Sequence, residues 1–180
     1  GTNLQAIIDA CDDNTIDASI ELVISNKEGA YGLERAKNAN IDSLFINPKG
    51  LSSMEYDLEL ISHLEKKDVD LVVLAGFLKV LSPVFINRYR GRIINIHPSL
   101  IPEFCGDGFY GDRVHKAVLD AGSLVSGATV HYVDEGTDTG KIILQESTEV
   151  LKDDTVSSLQ KRVLELEHKL LVKALCEICK

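Results

Sequence analysis

Two short apolar runs constrain this chain most. Asp70–Phe77 (DLVVLAGF) and Arg92–His97 (RIINIH) are nearly unbroken stretches of Val, Leu and Ile, each entered from a charged residue. Runs of this length without polar alternation suit strands covered on both faces of a parallel sheet. Parallel neighbours need a long crossover rather than a tight hairpin. Leu81–Tyr89 supplies one, reading as a short helix with Pro83 in its first turn.

The same alternation extends upstream. Leu4, Ile7, Ile8 and Cys11 follow the spacing of one helix face, with Thr2 or Asn3 as the N-cap. Ser19–Ser25 reads as a strand, Gly32–Asn38 as a short helix, Asp42–Asn47 as a second strand and Ser53–Lys67 as a helix. Its Tyr56, Leu60, Ile61 and Leu64 lie on one side. After Arg92–His97 comes a long aperiodic loop, Pro98–Asp112, then a helix over Arg113–Ala121. Strands Thr129–Val133 and Ile142–Val150 follow, then a long final helix capped by Asp153 or Asp154. This order predicts an α/β sheet with crossovers in one domain over residues 1–180. The chain opens on a helix with no strand ahead of it, so a strand is expected to be missing there.

Composition narrows the partners. The chain carries 19 basic and 28 acidic residues, a net charge of −9, which argues against nucleic acid and anionic membranes. Its longest apolar runs, such as Leu71–Leu74 and Ile142–Leu144, fall far short of the roughly 18 residues of a membrane span. Four cysteines are too few for a disulfide scaffold, and with no visible signal peptide the expected compartment is the cytoplasm. Cys176 and Cys179 form a CxxC in the final helix, read as a helix face rather than a metal or redox site. His63 and His115 look like helix-surface residues, His131 sits inside a strand, and no histidine has metal-ligand spacing; no metal is expected.

Ligands of open parallel sheets bind where strands end. Three places qualify: Gly76–Leu81, Asn95–His97 and the loop Asp134–Gly140. Asn95 and His97 are two apart on one strand, so both project from the same face. An amide donor beside an imidazole can stabilise an oxyanion and move a proton, although a capped strand end with a satisfied histidine fits the same pattern. Asp138 could orient such a ring, or be a turn aspartate. Gly1-Thr2-Asn3 at a helix start could hold an anion, or simply cap the helix. The thiol of Cys105 has no dedicated base in view.

Taken together, Asn95-Ile96-His97-Pro98-Ser99-Leu100-Ile101-Pro102, Gly127-Ala128-Thr129-Val130-His131-Tyr132-Val133 and Asp138-Thr139-Gly140 closely resemble the folate-dependent formyltransferases. Gly1–Ile7, Ser25-Asn26-Lys27, Leu74–Leu78 and Glu167-His168 resemble the members that act on phosphoribosylglycinamide in purine biosynthesis. The resemblance implies a three-layer Rossmann-like fold: a mostly parallel sheet with helices on both faces, lacking its first strand. It implies transfer of the formyl group of 10-formyltetrahydrofolate, a co-substrate, to the amine of phosphoribosylglycinamide. By resemblance His97 is the catalytic acid, Asn95 the oxyanion partner, and Asp138 the carboxylate that favours the charged histidine. Gly1, Thr2 and Asn3 match the phosphate loop, and Glu167 the residue that meets the ribose. Leu78, Lys79, Val80 and Leu81 match the folate-binding segment, with Asn95 and the loop residues Asp134, Glu135, Gly136, Thr137 and Asp138 completing that pocket. A monomer or homodimer is expected. A formyltetrahydrofolate hydrolase of the same fold is the alternative; relatives of that kind carry a further regulatory domain and differ after the catalytic histidine, where Pro98 stands here.

Overall fold

The computed structural model describes residues 1–180. In chain order the elements are α1 (Thr2–Asp12), β1 (Val23–Ser25), α2 (Tyr31–Asn38), β2 (Ser43–Phe45), α3 (Ser53–Glu65), β3 (Val72–Leu74), α4 (Pro83–Arg88), β4 (Ile93–His97), α5 (Asp112–Asp120), β5 (Val125–Tyr132), β6 (Ile142–Glu149) and α6 (Val156–Ile178). Every expected helix and strand is present.

β1 and β2 pair in parallel as a separate ribbon, while β3, β4, β5 and β6 form a second sheet. β3 and β4 are parallel; β4–β5 and β5–β6 are antiparallel. The sheet is therefore mixed, with its direction changing at β4. No ladder joins β1 or β2 to β3.

Helices cover both faces. Ile94 and Ile96 of β4, with Ala128 and Val130 of β5, pack in one core with residues of α1, α5 and α6. Ile93 packs in the other with Tyr56, Leu60, Ile61 and Leu64 of α3 and Phe85 and Ile86 of α4. Alternation along β4 then assigns Asn95 and His97 to the face of Ile93, and along β5 assigns Thr129 and His131 to that same side.

Several boundaries differ from expectation for identifiable reasons. β5 begins at Val125 rather than Thr129, because small residues admit close pairing: a Cβ on Gly127 would lie 2.3 Å from the Glu146 carbonyl oxygen. α1 is N-capped by Gly1 without a side-chain bond, so Thr2 and Asn3 are its first helical residues and not its caps. Thr155, not Asp153 or Asp154, caps α6, through a reciprocal box with Ser158. Asp154 instead takes a two-pronged bond from Arg162, at 2.7 and 2.9 Å. No helix is long and apolar enough to cross a membrane.

Candidate active site

β4 delivers Asn95 and His97 to the sheet face, and Asp138 reaches them from an unexpected direction. Because β5 runs antiparallel to β4, Tyr132 lies opposite Ile94, at the far end of β4 from His97. The Val133 N–H donates to the Ile93 carbonyl, and Glu135 pairs with Arg90 just before β4. From there the loop folds back across the face, and the carboxylate of Asp138 lies 3.6 Å from His97 Nδ1. Asp138 holds a left-handed backbone (φ 58°), a conformation that costs a non-glycine residue about 1 kcal/mol and is frequent at functional sites.

The ring of His97 is oriented by the long loop after β4. Its Nε2 lies 3.0 Å from the Phe104 carbonyl oxygen. A carbonyl only accepts, so Nε2 carries hydrogen, and a second proton on the ring goes to Nδ1, facing Asp138. The separation there is longer than a direct hydrogen bond. Ser99 Oγ donates to the Glu103 carbonyl at 2.6 Å, and Thr129 Oγ1 to that of Ser99 at 2.7 Å. Gln145 Nε2 in turn donates to Thr129 Oγ1 and to the Ile101 carbonyl.

The same loop fixes the carboxylate. The Gly106 N–H donates to Asp138 Oδ2 at 3.0 Å, and Thr137 Oγ1 to Asp107 Oδ1 at 3.0 Å. Burial works to raise the Asp138 pKa. The hydrogen bond with His131, the Gly106 N–H and the charge of the two rings outweigh burial and hold the carboxyl below its ordinary value. Asp138 is thus an ionised group in a largely enclosed place. The thiol of Cys105 is pushed up by burial and by Asp138, which leaves it protonated and not an activated nucleophile.

A second cluster gathers at the start of α1. Asn3 Nδ2 donates to Glu167 Oε2 of α6 at 2.8 Å, so two predicted substrate contacts meet. Glu167 is 7% exposed, and burial pushes its pKa up to about 7 against the opposing bond from Asn3. Arg35 of α2 stands beside Gly1 and donates from Nη1 to Gln5. Three buried polar atoms here have no partner: Asn3 Oδ1, Arg35 Nε and His168 Nε2. Such a group of orphaned donors and acceptors suits a polar ligand.

The expected folate segment divides. Leu78 and Val80 are exposed, Leu81 is buried in the α3/α4 core, and Lys79 Nζ sits 4.7 Å from the centre of the Tyr56 ring. In the 134–138 loop, Asp134 Oδ1 accepts from the Gly136 N–H and from Thr139 Oγ1, closing a tight turn. No group of three or more His, Cys, Asp or Glu side chains is arranged to hold a metal ion.

Sequence reasoning missed three side chains. His131 lies between Asn95 and Asp138, and only the β4–β5 register, which sets Asn95 opposite His131, could have revealed it. Arg35 joins the α1 cluster from a helix with no motif of its own. His115 is not on the helix surface: it is 3% exposed between Val114 and Val118 on the buried stripe of α5, and burial lowers its pKa. Its position within that stripe was the available signal.

Comparison with known proteins gives one consistent family. The formyl transferase family description matches residues 1–175. The trifunctional purine biosynthetic protein adenosine-3 of Drosophila melanogaster is 50% identical over 171 residues, covering 93% of this chain but only 12% of that protein. The phosphoribosylglycinamide formyltransferase of Haemophilus influenzae is 42% identical over 171 residues, 94% of this chain and 78% of that one. Among solved structures, glycinamide ribonucleotide transformylase 1 from Symbiobacterium toebii superposes with a TM-score of 0.94 at 40% identity, over 99% of this chain and 82% of that one.

Proposed function

The chain belongs to the formyl transferase family, and from that premise we propose that it moves the formyl group of 10-formyltetrahydrofolate to the amine of phosphoribosylglycinamide, as a single cytoplasmic domain in purine biosynthesis. One observation carries the reading: Asn95, His97 and the ionised Asp138 converge on one sheet face, with the proton-accepting Nδ1 of His97 turned toward the carboxylate.

In this mechanism the glycinamide amine attacks the formyl carbon, and the carbonyl oxygen takes up the displaced electron pair. The Asn95 amide and the Nδ1–H of protonated His97 donate to that oxygen, stabilising charge that is absent from the ground state. Asp138 accepts the proton that the attacking nitrogen loses, directly or through a bridging water. The same proton passes to the departing folate nitrogen as its bond to the formyl carbon breaks. Attack is direct, and no enzyme side chain becomes acylated.

The remaining residues hold the two substrates. Backbone N–H groups of Gly1, Thr2 and Asn3 at the start of α1 take the phosphate. Glu167 takes the ribose hydroxyls. The three orphaned polar atoms around them support a polar ligand there. Leu78 and Val80 offer apolar surface to a flat heterocycle, with Lys79, Asn95 and the Asp134–Asp138 loop completing its slot and Leu81 anchoring the segment in the α3/α4 core.

The experiment is consumption of 10-formyltetrahydrofolate followed optically, with and without phosphoribosylglycinamide. Turnover that needs the acceptor is expected. Equal turnover without it would replace this reading with the hydrolase.

A further inference from the structure

We propose that Cys11, at the end of α1, and Cys179, at the end of α6, are a thiol pair that small-molecule disulfides oxidise to a bridge, stapling the two helices together. Neither residue belongs to the catalytic or substrate clusters described above.

Three of the four cysteines gather in one place. α1 packs against α6, and Asn3 meets Glu167 in the first turn of α1. Farther along the same helix pair, the chain leaving α1 folds back on its last turn. There the Asn14 N–H donates to the Cys11 carbonyl and the Ile16 N–H to that of Ala10. The Cys176 thiol of α6 donates to the Thr15 carbonyl in this turn, at 3.1 Å. Cys179 caps α6 one turn later. Cys11, Cys176 and Cys179 are all half-buried, all free, and all packed on the core cluster that holds Ile16 and Leu175. The CxxC of α6 thus meets a third thiol from the other end of the sequence.

Cys176 is committed to Thr15, whereas the Cys179 backbone has left the helical conformation (φ −92°, ψ 43°). Burial pushes the Cys11 thiol up, helped by Cys179, Asp12, Asp13 and Cys176; burial, Cys176 and Asp17 do the same to Cys179. The thiolate is the reacting form, so the pair is quiet near neutral pH and reacts faster in alkali. One protein thiolate attacks a sulfur of the small disulfide and expels a first thiolate. The second protein thiolate then attacks the protein sulfur of that mixed disulfide and expels the other. The S–S bond of the oxidant breaks and one between Cys11 and Cys179 forms. The two protein sulfurs are oxidised, and the oxidant leaves as two thiols that carry the two protons. A bridge from Cys176 to Cys179 would join neighbours on one helix. A bridge from Cys11 to Cys179 closes a loop of nearly the whole chain, where a crosslink removes most entropy from the unfolded state.

The test is oxidation of the reduced chain with excess oxidised glutathione at about pH 7 and about pH 9, followed by acid quench, alkylation of free thiols and peptide mass mapping. A Cys11–Cys179 bridge is expected, forming at least about tenfold faster at the higher pH. The bridged chain should melt about 5–15 °C above its reduced form, and dithiothreitol should reverse the gain. Cys176→Ser should keep both the bridge and the gain. Cys11→Ser and Cys179→Ser should lose both, each compared with its own reduced form. Several results would overturn the proposal: a bridge within Cys176–Cys179, from Cys11 to Cys176, or to Cys105; glutathione adducts that go no further; no reaction at the alkaline pH; or a Cys11–Cys179 bridge that leaves Tm unchanged. None of these readouts depends on formyl transfer.

Discussion

Glu167 offers a prediction whose size can be worked from its surroundings. The carboxyl is 7% exposed at the α1–α6 contact and accepts one hydrogen bond, from Asn3. Burial raises its pKa from an ordinary 4.5 to about 7. Below 4.5 the group is protonated in both folded and unfolded chains and contributes nothing. Between the two values the unfolded chain releases a proton that the folded chain keeps, so stability falls as pH rises. Above about 7 the full penalty applies, worth about 3 kcal/mol at about 1.4 kcal/mol per tenfold. Glu167→Gln keeps an acceptor for Asn3 and removes the charge. At about pH 8, without ligand, the variant should be more stable by that amount, which for a chain of this size raises Tm by about 6–12 °C. The assay is urea or thermal unfolding of both proteins from about pH 4.5 to about pH 8. The gap should shrink steadily toward the acid end. A variant no more stable at the alkaline end, or a gap independent of pH, would refute the reasoning.

Three further outcomes follow from the same geometry. Asn95→Ala should lower kcat by about 10²–10³-fold while folate affinity, measured by fluorescence titration, changes far less. Gly140→Ala forces a Cβ to within 1.7 Å of the Tyr132 oxygen. It should cost about 1–3 kcal/mol in thermal melts. Asp154→Asn breaks the paired bonds from Arg162 and should cost about 1–3 kcal/mol at neutral pH. Those bonds hold the Asp154 carboxyl below its ordinary 3.8, so the stability they contribute is present above that value and lost as pH falls. The gap between parent and variant in urea melts should therefore close in acid.

What could be read from the sequence was local. The spacing of Asn95 and His97 required a common face once Arg92–His97 was taken as a strand, and the structure has them there. Strand lengths were less legible. Ser19–Ser25 and Asp70–Phe77 have apolar character along their whole length, but hydrogen-bonded pairing covers only Val23–Ser25 and Val72–Leu74. The second run stops early because Gly76 takes a φ of 70°, which turns the chain out of the sheet. β5 erred the other way, since Ser126-Gly127-Ala128 looks like a turn until its close partner strand is known. The caps of α6 were misjudged for a simpler reason. Asp153, Asp154 and Thr155 are all good capping types, and only the reciprocal bond with Ser158 separates them.

The parts that stayed hidden depend on β4 being the strand where the sheet reverses. Its neighbour on one side, β3, runs with it and the other, β5, against it. Had β5 been parallel, the loop after it would have emerged beside His97, at the carboxyl edge where ligands of parallel sheets usually sit. Being antiparallel, it starts beside Ile93 and must cross the face to bring Asp138 to His97. That crossing encloses the carboxylate, while the Gly106 N–H and the two rings keep it ionised there. The same antiparallel register sets His131 directly opposite Asn95, on the face the loop covers. One reversal of strand direction thus brings three chain segments, distant in sequence, to one small region of the sheet.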